Sequence, residues 1–137
     1  VVYYNEKNRI LFSGDTLFRL GCGRVFEGTY KQMYDSLNLI NSLNNETYIY
    51  CGHEYTLNNL KFLQKIFFNN ESLKIIKNRI HTQIKKTGKS IPFKLGEEKK
   101  YNPFLSLESF YYQKYMNDKK LNKIQMFTHL RDLKNNY

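Results

Sequence analysis

Two short apolar runs open the chain. Val1-Val2-Tyr3-Tyr4 and Arg9-Ile10-Leu11-Phe12 flank the polar cluster Asn5-Glu6-Lys7-Asn8, which predicts a β-hairpin. Ser13-Gly14-Asp15-Thr16 ends the second run, and Gly21-Cys22-Gly23 predicts a tight loop that a side chain would obstruct. Thr29 is placed to cap a helix running to about Leu43, whose apolar positions Met33, Leu37 and Ile40 step by three and four. Asn44-Asn45 breaks it, and Thr47 to Cys51 reads as another strand. Residues 1 to 55 therefore read strand, strand, loop, helix, strand.

The pattern changes after His53. Thr56 is a candidate cap for a helix with the stripe Leu57, Leu60, Leu63, Ile66 and Phe67. Asn70-Glu71 starts another, with Leu73, Ile76 and Ile80 on one face. Thr87 to Pro92 reads as a loop and Tyr101-Asn102-Pro103-Phe104 as a turn. Short helical signals run from Ser106 to Tyr115. A final helix from about Lys119 carries Leu121, Ile124, Phe127, Leu130 and Leu133, one every three residues. Residues 56 to 137 thus read almost entirely α.

Composition adds limits. The 137 residues suit one domain or two small ones, and 16% aromatics compensate for a modest apolar fraction of 41%, so a packed core is expected. No apolar run approaches the ~20 residues of a membrane span, and no membrane partner is expected. The chain opens on Val1 rather than Met, inside a predicted strand, so a longer parent protein is expected. Cys22 and Cys51 lack CxxC spacing and read as reduced thiols, which favours a cytoplasmic protein without excluding an organellar form. The net charge of +10 is densest from Lys74 to Lys100 and allows three readings: a nucleic-acid surface, a solvated face, or cations that hold an anionic small molecule. The solvated face is the simplest.

Asp15 and His53 each follow a predicted strand, where α/β folds gather their sites. Both are metal-ligand types, although a catalytic zinc centre takes three protein donors. His53 is open to three roles at this point: metal ligand, general base, or a cap on a turn. His53-Glu54 does not start an HExxH motif, because position 57 is Leu. His81 and His129 fall in helical segments and read as surface or packing residues. Cys22 has no general base nearby in sequence and reads as a small residue in a tight loop. Arg131 and Lys134, three apart, share one edge of the last helix and read, by spacing alone, as ordinary surface charge. Arg24 follows the glycine loop, where it could meet a carboxylate, and Tyr55 lies two residues past His53.

Taken together, the segments SGDTLFRLGCGRVFEGT (Ser13 to Thr29), YCGHEYTLNNLKF (Tyr50 to Phe62), YNPF (Tyr101 to Phe104) and LRDLK (Leu130 to Lys134) resemble the glyoxalase II (hydroxyacylglutathione hydrolase) family of the metallo-β-lactamase superfamily. The resemblance implies an α/β (α+β) fold: residues 1–55 as the carboxyl-terminal part of an αββα sandwich, followed by residues 56–137 as a helical glutathione-binding domain. It implies hydrolysis of S-D-lactoylglutathione to D-lactate and glutathione at a centre of two divalent metal ions, zinc foremost, with iron or manganese as alternatives. By residue match, Asp15 would bridge the metals and His53 would bind one of them. Arg24, Tyr55, Arg131 and Lys134 would contact glutathione. Phe26 stands where some members carry a substrate-contacting Tyr. The family's THxHxDH motif, which supplies most of the metal ligands, does not occur in this sequence.

The expectation is therefore a fragment of the enzyme that lacks turnover by itself and holds metal weakly or not at all. It would leave one sheet face to a missing amino-terminal half or to self-association. Persulfide dioxygenases share related metal motifs but lack the helical region with its Arg-x-x-Lys ending. The alternatives outside catalysis are a glutathione-binding remnant and, less favoured, a basic nucleic-acid-binding module.

Overall fold

The first hairpin forms where the polar cluster predicts it. In the computed structural model, which describes residues 1–137, strand β1 (Tyr3–Asn5) runs antiparallel to β2 (Ile10–Gly14), with Tyr3 opposite Phe12. Asn5 Oδ1 accepts from the Asn8 N–H at 3.0 Å, an Asx-type turn. Val1 and Val2 lie outside the strand, which is shorter than expected.

The expected glycine loop is instead a second hairpin of β3 (Leu17–Phe18) and β4 (Gly21–Cys22). Its turn places Leu20 at φ 64°, a conformation that favours glycine. Leu20 is held there by full burial and by its N–H, which donates to the buried Glu98 carboxylate at 3.0 Å. The glycines serve close approach: a Cβ at Gly21 would lie 2.6 Å from Asn59 Nδ2, and one at Gly23 only 1.9 Å from the Asp15 carbonyl oxygen.

Helix α1 (Tyr30–Asn41) begins at the predicted cap. Thr29 Oγ1 accepts from the Gln32 N–H, and Gln32 Oε1 accepts from the Thr29 N–H, which satisfies two helix-start donors reciprocally. Leu37 and Ile40 are buried. Strand β5 (Tyr48–Cys51) then pairs parallel with β2, as a helical crossover permits.

The remaining elements are α2 (Thr56–Ile66), α3 (Ser72–Thr87), β6 (Phe93–Lys94), α4 (Leu95–Tyr101), α5 (Phe110–Asp118) and α6 (Lys123–Asn135). Several expectations need correction here. Thr56 does not cap α2; it is the first helical residue, and its hydroxyl lies 2.6 Å from Ser90 Oγ. The α2 stripe is rotated, with Leu57 exposed and Asn59 and Phe62 buried. Two elements went unpredicted: α4, and β6, which pairs antiparallel with β5 and completes the sheet order β1-β2-β5-β6. Two residues are too few to show alternation. Helix α6 starts later than expected, where Asn122 and Gln125 form a capping box. A three-residue repeat drifts around a helix of 3.6 residues per turn. The buried face of α6 is accordingly Met126, Phe127, Leu130 and Arg131.

The fold is mixed α/β with a single core. Leu11 and Ile49 of the sheet join Leu37, Leu63, Ile76 and Leu130 in one buried cluster, which draws on residues from both sides of position 55. The opposite sheet face carries Tyr3, Phe12, Tyr48 and Tyr50, all exposed. No helix is long and apolar enough to cross a membrane.

Candidate active site

Parallel pairing sets the first half of the site. Strands β2 and β5 end side by side, with Gly14 opposite Cys51, and the Gly52 N–H donates to the Gly14 carbonyl at 2.8 Å. Asp15 and His53 leave that shared edge next to each other, with His53 Nε2 3.3 Å from Asp15 Oδ1. A Cβ at Gly52 would stand 2.8 Å from Asp15 Oδ1, so glycine leaves room for the carboxylate. The His53 ring stacks on Tyr55 (4.8 Å, 9°), and Phe18 meets Tyr55 edge-on at 4.9 Å. Glu54 reaches elsewhere: its carboxylate accepts from Ser90 N–H (2.9 Å) and Ser90 Oγ (2.6 Å), which ties the start of α2 to the loop after α3.

The donor set suits part of a metal centre. Two donors each about 2.0–2.1 Å from one tetrahedral ion lie roughly 3.3 Å apart, the separation found between Asp15 and His53. That distance equally suits a hydrogen bond, and no group of three His, Cys, Asp or Glu side chains is arranged around an ion position.

The second half is built from α6 and the β4 loop. Arg131 is buried, unlike the surface cation its spacing suggested. Its Nη1 donates to the carbonyls of Cys22 (2.7 Å) and Gly23 (3.3 Å), and its Nε to Asn135 Oδ1 (3.0 Å). Arg24 Nη2 donates to the Asn135 carbonyl at 3.1 Å. No ion pair neutralises Arg24, Arg131 or Lys134. Burial, and then the charges of Arg131 and Arg24, push the Lys134 ammonium below its ordinary pKa. Uncompensated positive charge at close quarters is an electrostatic receptor for an anion. Cys22 beneath it is no nucleophile, since burial pushes its thiol up to about 11 despite Arg131 nearby.

Both halves open into one cavity of about 390 Å³, lined by Asp15, His53, Arg24, Tyr55, Arg131 and Lys134, within the size range of small-molecule sites. The structure thus brings all six sequence-predicted residues together. Phe18, Asn58, Asn59 and Tyr137 also line it and carried no sequence signal. A larger cleft of about 650 Å³ lies between α1, residues 103–108 and α5, away from the Asp15 and His53 pair. His81 is exposed, and His129 contacts the Tyr115 phenol at 2.8 Å; neither reaches the site.

Residues 54–137 match the family model described as hydroxyacylglutathione hydrolase C-terminus. The chain belongs to the hydroxyacylglutathione hydrolase family. Relatives bearing that name include proteins of Bartonella henselae (39% identical over 98% of this chain and 53% of the relative) and Pelagibacter ubique (42% over 98% and 50%). A Shewanella relative is 50% identical over 69% of this chain and 36% of its own length. The chain spans about half the length of the first two. Their alignment also takes in nearly all of residues 1–53, which the family model leaves out and which supply Asp15, Arg24 and His53.

Proposed function

We propose that this chain forms part of a hydrolase that converts S-D-lactoylglutathione to D-lactate and glutathione. One observation carries the reading: a single cavity has an oxygen–imidazole pair at one end and three unneutralised cations at the other. Family membership favours a glutathione thioester as the ligand that spans them. Arg24, Lys134 and the remaining Nη2 of Arg131 would hold glutathione carboxylates, and the Tyr55 phenol would face the region between the ends. Holding a substrate by its remote end orients the reacting carbonyl.

Asp15 and His53 would hold divalent metal, zinc foremost. Bound there, such ions would polarise the thioester carbonyl and lower the pKa of water. The other donors would come from a further part of a longer protein. In that protein the β1-β2-β5-β6 sheet would be one of the two sheets of an αββα sandwich. The exposed aromatic face of Tyr3, Phe12, Tyr48 and Tyr50 supports that packing.

A second reading, a glutathione-binding chain without turnover, suits the isolated fragment, because a pair of donors falls short of the three a catalytic zinc centre takes. Two measurements decide. Calorimetric titration of this chain with glutathione should show saturable binding that Arg24→Ala and Lys134→Ala weaken; no binding at millimolar concentration overturns the ligand. Metal-loaded longer protein should turn over S-D-lactoylglutathione, while this chain alone should not. An inactive longer protein overturns the hydrolase reading.

A further inference from the structure

Among the three cations of the site, Arg24 and Arg131 spend donors on backbone carbonyls, whereas the Lys134 ammonium donates no hydrogen bond within the chain. A half-buried ammonium beside two guanidinium groups needs another source of stabilisation. Two aromatic faces supply it. Lys134 Nζ lies 5.5 Å from the Phe62 ring centroid and 5.1 Å from that of Tyr137, both within cation–π range. The rings brace each other edge-on at 5.4 Å and 77°.

Phe62 is fixed in the core on α2, and Tyr137 is anchored by its N–H, which donates to the Lys134 carbonyl at 3.2 Å. Lys65 Nζ also lies 5.5 Å from the Tyr137 ring. A carboxylate in this position would neutralise Lys134 and compete with any anionic ligand. A ring face holds the cation in place while leaving its N–H donors free.

We propose that Phe62 and Tyr137 clamp Lys134 Nζ in the cavity as a preorganised, unneutralised anion receptor. Tyr137 is then a positioning residue for a ligand carboxylate. Fixing a long, flexible side chain before binding removes an ordering cost from association. The clamp stands on this geometry alone; that the carboxylate belongs to glutathione rests on the proposed function.

The test uses two separate readouts on this chain. In NMR spectra, with Lys134 assigned through Lys134→Arg, its Cε–H signals should be shifted upfield by the ring currents. Tyr137→Leu should largely remove the shift, and Tyr137→Phe should keep it. Tyr137 is half exposed, so neither change threatens the core. By calorimetry, Tyr137→Leu should weaken glutathione binding roughly five-fold, with Tyr137→Phe staying within about two-fold of the unaltered chain. Lys134 signals at the positions of exposed lysines overturn the clamp. So does a Tyr137→Leu variant whose Lys134 signals match those of the unaltered chain. If the shift behaves as expected but no variant binds glutathione, the ligand assignment falls and the clamp stands. If glutathione binds with equal affinity before and after Tyr137→Leu, the positioning role falls.

Discussion

At the Asp15 and His53 end of the cavity the side chains are 73% and 50% exposed, and main-chain pairing of β2 with β5 sets their places. At the other end Arg131 is only 3% exposed, and its guanidinium itself holds the Cys22 and Gly23 carbonyls. One end is backbone presenting side chains; the other is a side chain organising backbone. Ligand chemistry and fold stability should therefore separate at the first end and be entangled at the second. The buried Glu98 deepens the contrast, because it supports the β3–β4 turn beneath the cationic end through Leu20 N–H and Asn102 Nδ2 (2.8 Å).

The sharpest way to break this comparison is Gly23→Ala. Its Cβ would meet the Asp15 carbonyl oxygen at 1.9 Å, a backbone atom with no freedom to give. We expect a loss of about 3 kcal/mol or more in urea unfolding, with disruption of both ends. A loss below about 0.5 kcal/mol would mean that the loop is not wedged against the Asp15 backbone.

Glu98 comes next. Burial pushes its carboxyl up to about 7, so the folded chain favours the protonated form. Its contribution is then fully present below the ordinary carboxyl pKa of 4.5 and is lost as pH rises toward 7, by an amount on the order of 3 kcal/mol. Glu98→Gln should abolish that slope between pH 4.5 and 7. An amide oxygen in place of Oε2, which accepts both hydrogen bonds, would preserve them. Urea midpoints that fall equally with pH in both proteins would refute the assignment.

Arg131→Leu should destabilise the chain by roughly 2 kcal/mol, because two carbonyls lose their buried donor, and should weaken glutathione binding as well. The smallest effect on stability belongs to His53→Ala, expected below about 0.5 kcal/mol for so exposed a side chain, although turnover by the longer protein should collapse. Equal destabilisation by these two substitutions would erase the distinction between the ends.

Parts of this were legible in the sequence. Thr29 announced the cap of α1, and the cap forms, with Gln32 closing a capping box that went unpredicted. Asp15 and His53 were candidates because metal-ligand types followed predicted strands. Leu73, Ile76 and Ile80 kept their predicted face because their spacing of three and four tracks one helix side. Other features had no local signal. Strand β6 is two residues long, and Arg131 looked like surface charge because its acceptors are carbonyls 109 and 108 residues away. Asn59 is buried by its bond to the Arg19 carbonyl at 3.1 Å, which no apolar stripe announces.

The sequence by itself determined the local backbone: where the first hairpin turns, where α1 is capped, and which types of residue stand at the strand ends. These depend on neighbouring residues, whose conformational preferences act within a turn or two. Only the tertiary structure decided that Asp15 meets His53, that Leu20 takes a glycine-like conformation, and that Arg131 is buried against the β4 loop. Each of these depends on a crossover or a packed core joining distant segments, where burial and long-range hydrogen bonds outweigh local preference.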